Sequence, residues 1–230
     1  MASEVFDRLA DRYDEWFDSA RGAALFAAEV ECLRRLMPED RPGWVEVGVG
    51  SGRFAEALKV PEGVDPSLPL LEKAAARGMK TVRAVAEELP YGDGELEGIL
   101  LVVTLCFLDD PEAALREFAR VLRPGGLLLV GFVPADSAWG REYLREGGEG
   151  QPFYSVARFY TCSEALDMTG AAGFRFLKAA STLPMGPEQE LGEPPVLDGI
   201  VPGCGFTAMM FTREPAGPDA GKKPSPVASQ

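Results

Sequence analysis

The 230-residue sequence contains no histidine. The commonest general base and metal ligand among side chains is therefore missing. That excludes His-dependent triads, zinc hydrolase motifs and haem ligation by imidazole. Cysteine is scarce too: Cys32, Cys106, Cys162 and Cys204 form no CxxC pair. Their spacing fits four reduced thiols rather than a metal or disulfide framework. Positive charge is in deficit, 23 Lys+Arg against 36 Asp+Glu, for a formal net charge of −13. Nucleic-acid binders carry a basic patch or balance that is absent here, so neither nucleic acid nor an anionic membrane is an expected partner. No apolar run reaches transmembrane length, and "MASEVFDRLADRYDEW" has no apolar signal core; a cytoplasmic location is expected. No internal repeat is visible. The 46% hydrophobic content is enough for one domain with a substantial core.

What is present is a rhythm. Ser3 to Met37 reads as two helices, with Phe6, Leu9, Tyr13, Trp16 and Phe17 on one apolar face and Ser3 as a cap. "SARG" breaks the pattern, and Phe26, Val30, Leu33 and Leu36 continue a second stripe. After "PEDRPG", short strands alternate with helices: "WVEVG", a glycine turn and a helix over Phe54–Lys59, "GVD", "SLPLLEKAAARG" ending at Gly78, "KTVRAV" and the continuous apolar "EGILLVVTLCF". "DPEAALREFARVL" is a helix with Asp110 as cap and Pro111 in its first position. "LLLVGFV" follows as a buried strand. The alternation predicts a doubly wound parallel sheet. Residues 134–160 read as an aromatic insertion with one short helix, then "TCSEALDMTGAAGF" as a helix capped by Thr161 or Ser163. "FRFLKAASTL" and "GFTAMMFTRE" read as strands joined by a Pro/Gly-rich loop without a helix, an antiparallel pair at the sheet edge. The expected organisation is one domain over 1–213, with residues 1–40 and 134–160 as lid segments and 214–230 as a disordered tail.

The glycine turn after "WVEVG" carries the chemistry. Glycines there let a ligand approach the backbone at a helix start. The dinucleotide fingerprint needs a glycine at its sixth position, where Arg53 stands, and no GK[ST] follows for a P-loop. The pattern is instead E-x-G-x-G-x-G: Glu46, Gly48, Gly50, Gly52. A phosphate site would avoid that carboxylate, because like charges repel.

This pattern resembles motif I of the class I S-adenosylmethionine-dependent methyltransferases. Three further segments match the family in the expected order: "AEELPYGDGELEGILLVVT", "DDPEAALREFARVLRPGGLLLV" and "FYTCSEALDMTGAAGF". The resemblance spans about residues 13–211 and is closest to the ubiquinone/menaquinone-methyltransferase-like (methyltransferase type 11) branch, whose members carry segments like "DRYDEWF" and "PFYSVARFYT". It implies a Rossmann-like seven-stranded sheet, order 3-2-1-4-5-7-6, with the last strand antiparallel, and S-adenosylmethionine as the cofactor, leaving as S-adenosylhomocysteine. It places Glu46, Val47, Gly48, Gly50 and Gly52 at the methionine end, Asp65 with Pro66 at the ribose hydroxyls, Ala86 and Glu87 at the adenine, and Thr104 near the methyl group. Val85 stands where the family usually has the adenine-binding Asp, and Leu96–Gly98 replace the usual segment before strand four.

Methyl transfer is an in-line displacement that needs alignment and exclusion of water more than a base, so a chain without histidine is not disqualified; no metal is expected. Tyr13 and Trp16 are candidates to close over cofactor and acceptor, with helix packing as the alternative. Arg53 is a cofactor candidate or a solvated surface arginine. Phe132, Trp139, Phe153, Tyr154, Arg158 and Tyr160 are acceptor-pocket candidates, Arg158 as a partner for an acidic substrate or for a surface carboxylate. The expected function is methyl transfer to a small molecule. The alternatives are a non-catalytic module that keeps the fold and a dinucleotide oxidoreductase; the spacing at Arg53 weighs against the latter.

Overall fold

A computed structural model of the protein describes residues 2–40 and 42–215. The tail segment from Ala216 onward lies outside them. Three helices open the chain: α1 (Ala2–Arg8), α2 (Ala10–Trp16) and α3 (Ala20–Arg34). The two-helix expectation fails at Leu9, where the backbone leaves helical geometry. Ser3 lies inside α1 instead of capping it. Ser19 caps α3, accepting a hydrogen bond from the Gly22 N–H at 3.0 Å.

From Trp44 the strand–helix alternation appears as predicted: β1 (Trp44–Val47), α4 (Arg53–Leu58), β2 (Glu62–Asp65), α5 (Leu68–Ala76), β3 (Lys80–Arg83), β4 (Leu96–Val102), α6 (Pro111–Val121) and β5 (Leu122–Phe132). Asp110 caps α6, its side chain accepting from the Ala113 N–H at 2.9 Å, and Pro111 occupies the first position. Beyond β5 come α7 (Ala138–Gly148), α8 (Cys162–Ala171), β6 (Phe174–Thr182), β7 (Leu197–Asp198) and β8 (Phe206–Arg213). Thr161 and Glu164 form a reciprocal capping box on α8.

The strands make one sheet in the order β3-β2-β1-β4-β5-β8-β6-β7. The first five are parallel. β8 runs antiparallel between β5 and β6, from Leu127↔Thr212 to Phe132↔Thr207 on one side. The order predicted from the resemblance holds, with one addition. The loop after β6 forms a two-residue edge strand, β7, against Ala180 and Ser181, so the sheet has eight strands where seven were expected. Ser181 anchors it: its hydroxyl donates to the Gly199 carbonyl and accepts from the Val201 N–H. β8 is interior, as the predicted order has its last strand, with β6 and β7 outside it.

The central strands are apolar on both faces, as a covered parallel sheet requires. Leu100, Val102 and Leu129 pack with Leu25 and Leu33 of α3 and Phe54 and Leu58 of α4. Ile99, Leu101 and Leu128 pack on the other face with Leu115 and Phe118 of α6 and Ala165 of α8. Residues one apart along β4 point into different cores, because successive strand side chains alternate. With both faces filled, the free surface for a ligand lies at the carboxyl ends of the strands. No helix among the described residues is long and apolar enough to cross a membrane.

Candidate functional site

Two cavities open at those carboxyl ends, where open α/β sheets place their ligands. The first, about 560 Å³, has the glycine turn as its floor: Val47, Gly48, Gly50, Asp65, Pro66, Ala86, Glu87 and Thr104 all line it, with Tyr13 at one side. Gly48 and Gly50 have φ of +72° and +53°, a region costly for residues with a Cβ. Space demands glycine as well. A Cβ on Gly48 would overlap the Thr104 side chain, and one on Gly50 would lie 3.3 Å from the Tyr13 ring. Thr104 is fixed beneath by its hydroxyl, which donates to the Val102 carbonyl at 2.8 Å.

Asp65 ends β2 and is 7% exposed. Its two oxygens accept from the backbone N–H groups of Gly50 (2.9 Å) and Ser67 (2.8 Å). Burial pushes it up to about 6, against those two hydrogen bonds and with a small push from Asp7. Glu46 lies behind the turn, 1% exposed. The backbone N–H of Ala55, in the first turn of α4, donates to its carboxylate, but Oε2 has no partner. Burial raises Glu46 well above the usual carboxylate range.

The first cavity is acidic. Glu4, Asp7, Asp65, Glu87 and Asp109 line it against one cation, Arg83, whose Nε donates to the Pro66 carbonyl. A pyrophosphate would meet net repulsion there. A ligand with an ammonium and a sulfonium would meet attraction, and behind the lining Glu46 Oε2 is a buried oxygen without a partner. Val85, 45% exposed, presents an apolar surface to the same cavity. The residues present fit S-adenosylmethionine: a carboxylate with spare lone pairs at a strand end, a turn open to close approach, and an excess of negative charge.

Comparison with known proteins agrees. Residues 45–130 match the family described as a methyltransferase domain. The chain is 37% identical to a SAM-dependent methyltransferase of Thermotoga maritima, described as a possible histamine N-methyltransferase; the two structures align with a TM-score of 0.86, covering 93% of this chain and 100% of that one. The chain belongs to the class I S-adenosylmethionine-dependent methyltransferases. An uncharacterized protein of Mycobacterium tuberculosis is 39% identical over 217 residues, 90% of this chain and 73% of the relative. A ubiquinone/menaquinone biosynthesis C-methyltransferase of Brucella anthropi is 26% identical over 146 residues, 56% of each chain, in line with the branch that the N-terminal segment resembles.

The second cavity of this methyltransferase, about 410 Å³, is walled mainly by aromatic rings, among them Tyr13, Trp16, Phe132, Phe153, Tyr154 and Tyr160. It shares four residues with the first: Phe6, Tyr13, Val103 and Phe107. Phe6 packs on Tyr13 (centroids 5.4 Å apart), Phe107 (5.0 Å) and Phe153 (5.3 Å). Val103, just past the end of β4, has φ of +44°, a strained value for a β-branched residue. Burial and the nearby carboxyls of Asp65, Glu46, Glu29 and Asp14 drive the Tyr13 phenol well above its ordinary range.

Five sequence candidates lie outside the lining of both cavities: Glu46, behind the turn, and the four that follow. Gly52, at φ +87°, is the N-cap of α4 and faces Ala74 and Met79 of the next unit. Trp139 is 1% exposed and its indole N–H donates to the Met185 carbonyl, so it is core. Arg158 lies over the Tyr160 ring at 5.1 Å, outside the cavity lining. Arg53 lines neither cavity and is not a solvated arginine. It donates to Asp14 (2.7 Å) and Asp18 (2.8 Å) and covers the Phe17 ring, while Arg77 takes the other side of Asp14 at 3.0 Å. Burial alone would raise Asp14; hydrogen bonds from Arg53, Ser51 and Arg77 outweigh it and hold the carboxyl at about 2. This clasp ties α2, which carries Tyr13, to α4. Arg53→Ala is expected to destabilise the enzyme by about 1.5–3 kcal/mol, the range for hydrogen bonds to charged groups, or roughly 3–12 °C in Tm. Thermal unfolding checks it, and an unchanged Tm would remove the clasp from the account.

The residues that sequence reasoning passed over are Phe107, Tyr143 and above all Glu29, 8% exposed in the second cavity. A signal existed. Glu29 stands four residues from both Leu25 and Leu33, on the buried stripe of α3. Reading that stripe through Phe26 placed the carboxylate beside it.

Proposed function

We propose that this methyltransferase transfers a methyl group, in line, to a small and largely apolar organic acceptor held in the aromatic cavity. The observation that carries the reading is the meeting of two unlike cavities at one shared wall. One is acidic and suits a cationic methyl donor; the other is apolar and suits the acceptor. S-adenosylmethionine supplies a methyl group on a sulfonium, a leaving group that needs no acid. The protein's part is placement. Asp65 takes the ribose hydroxyls, Glu46 and the glycine turn hold the amino-acid end, and Tyr13, Phe6, Val103 and Phe107 confine the transfer path and exclude water. The acidic mouth and net charge of −13 support a small-molecule acceptor over nucleic acid or an anionic membrane surface, and a cytoplasmic site of action goes with that reading.

The test is calorimetric titration with S-adenosylmethionine, S-adenosylhomocysteine and NAD, followed by detection of S-adenosylhomocysteine release with a small-molecule panel. Micromolar binding of the two sulfur nucleotides, none of NAD, and acceptor-dependent product support it. A chiral methyl donor tests the in-line path: inversion at carbon is expected, and retention would refute it.

A further inference from the structure

The acceptor cavity contains one buried carboxyl group that its walls leave unanswered. Glu29 lines the cavity from the buried face of α3. It makes no hydrogen bond and no ion pair with a described residue, and burial is the sole cause of its rise to about 8. Around it stand phenols and rings. Tyr13, Tyr143 and Tyr154 all feel its charge, and Tyr143 stacks on Tyr154 at 4.3 Å. Cys32, on the same helix, feels it from the core side. Arg12 and Glu15 line the same cavity from α2, and Arg21 acts on Tyr143 from the start of α3.

A buried carboxyl without a partner is unfavourable unless a ligand completes it. Burial favours the protonated form of Glu29 in the ligand-free enzyme, so an alcohol or phenol can only hydrogen-bond a neutral carboxyl. A basic amine would take up that proton, and the ammonium–carboxylate pair that results gains attraction from the aromatic faces as well. We propose that Glu29 is the acceptor-recognising group of this enzyme: it pairs with the basic nitrogen of a small amine whose hydrocarbon part fills the aromatic cavity, and it accepts the proton that the nitrogen must lose before methylation. This rests on the methyl-transfer reading of the same cavity. The step balances. An ammonium has no lone pair, so one N–H proton passes to the Glu29 carboxylate, giving a neutral amine and a neutral carboxylic acid. The nitrogen lone pair then forms the C–N bond as the C–S bond breaks, and that electron pair stays on sulfur. The products are an N-methylammonium and S-adenosylhomocysteine, and Glu29 returns its proton to water. A carboxyl raised by burial toward neutral pH is suited to such a transfer.

The experiment measures binding to the enzyme saturated with S-adenosylhomocysteine. The probes are 2-phenylethylamine, cyclohexylmethylamine and n-hexylamine, each against the alcohol of the same skeleton. At least one amine is expected to bind on the order of tenfold or more tightly than its alcohol. Glu29→Gln, which keeps the shape and removes the charge, should abolish that preference while S-adenosylhomocysteine affinity stays within about twofold, since Glu29 lies outside the cofactor cavity. If every amine binds no better than its alcohol, or if Glu29→Gln keeps the preference, the proposal is overturned. Failure of S-adenosylhomocysteine to bind the unaltered enzyme would instead overturn the methyl-transfer reading beneath it.

Discussion

Asp65→Ala is expected to weaken S-adenosylmethionine binding by about 1–3 kcal/mol, roughly 5- to 150-fold in Kd. The carboxylate has two tasks. It is the acceptor expected for the ribose hydroxyls, and it already accepts from the Gly50 and Ser67 backbone at 2.9 and 2.8 Å. Alanine removes the acceptor and strands both donors in a site where Asp65 itself is 7% exposed, so the glycine turn loosens as the ligand loses its partner. Asp65→Asn is a sharper probe. The amide keeps one oxygen but turns an NH₂ toward one of the two backbone donors, so the affinity of this variant should fall between those of the unaltered enzyme and Asp65→Ala. Calorimetry on folded variants reads the effect, and unchanged affinity would remove Asp65 from the site. Because burial holds Asp65 at about 6, cofactor affinity should also decline as pH falls through that value, where the carboxylate gains a proton.

The second large effect is on stability without ligand. A chain without histidine has no common side chain that ordinarily titrates between pH 5 and 8. Here burial moves two carboxyls to that region, Glu29 at about 8 and Asp65 at about 6, and raises a third, Glu46, well above its ordinary value. In the unfolded chain these groups release their protons near pH 4; in the folded protein they keep them until higher pH. The folded state thus binds more protons in between, and raising the pH destabilises it. Asp14, held at about 2, acts in the opposite sense but only at acid pH, below the window. The ligand-free enzyme should therefore unfold at its highest temperature near pH 5 and lose on the order of a few kcal/mol by pH 8. Glu29→Gln should remove a large part of that slope. Scanning calorimetry across this range decides it: a Tm that is flat or rises toward pH 8 would mean that these carboxyls are not buried as described.

Local features of the sequence foretold local features of the structure. The apolar strands, Pro111 behind Asp110, and Thr161 with Glu164 each act through neighbours a few residues away, so their signals lie within one window of the chain. The strand order came from resemblance, and the structure added the short β7, whose pairing depends on Ser181 reaching residues 199 and 201. The errors have a common cause. Arg53 beside the glycine turn looked like a ligand residue; its partners Asp14 and Asp18 are 39 and 35 residues away. Trp139 and Arg158 lie in the segment that covers the site, but which side of a covering segment faces the cavity depends on what it packs against.

Sequence alone therefore determined the alternating strands and helices from Trp44 to Phe132 and the helix caps there, because periodicity and capping are short-range properties. Only the tertiary structure decided which charges find partners. Folding gave Asp14 two guanidinium partners, left Glu46 Oε2 without one, and turned Glu29 into the aromatic cavity. The energy of a charge depends on the polar groups and water around it, and folding assembles those surroundings from distant parts of the chain.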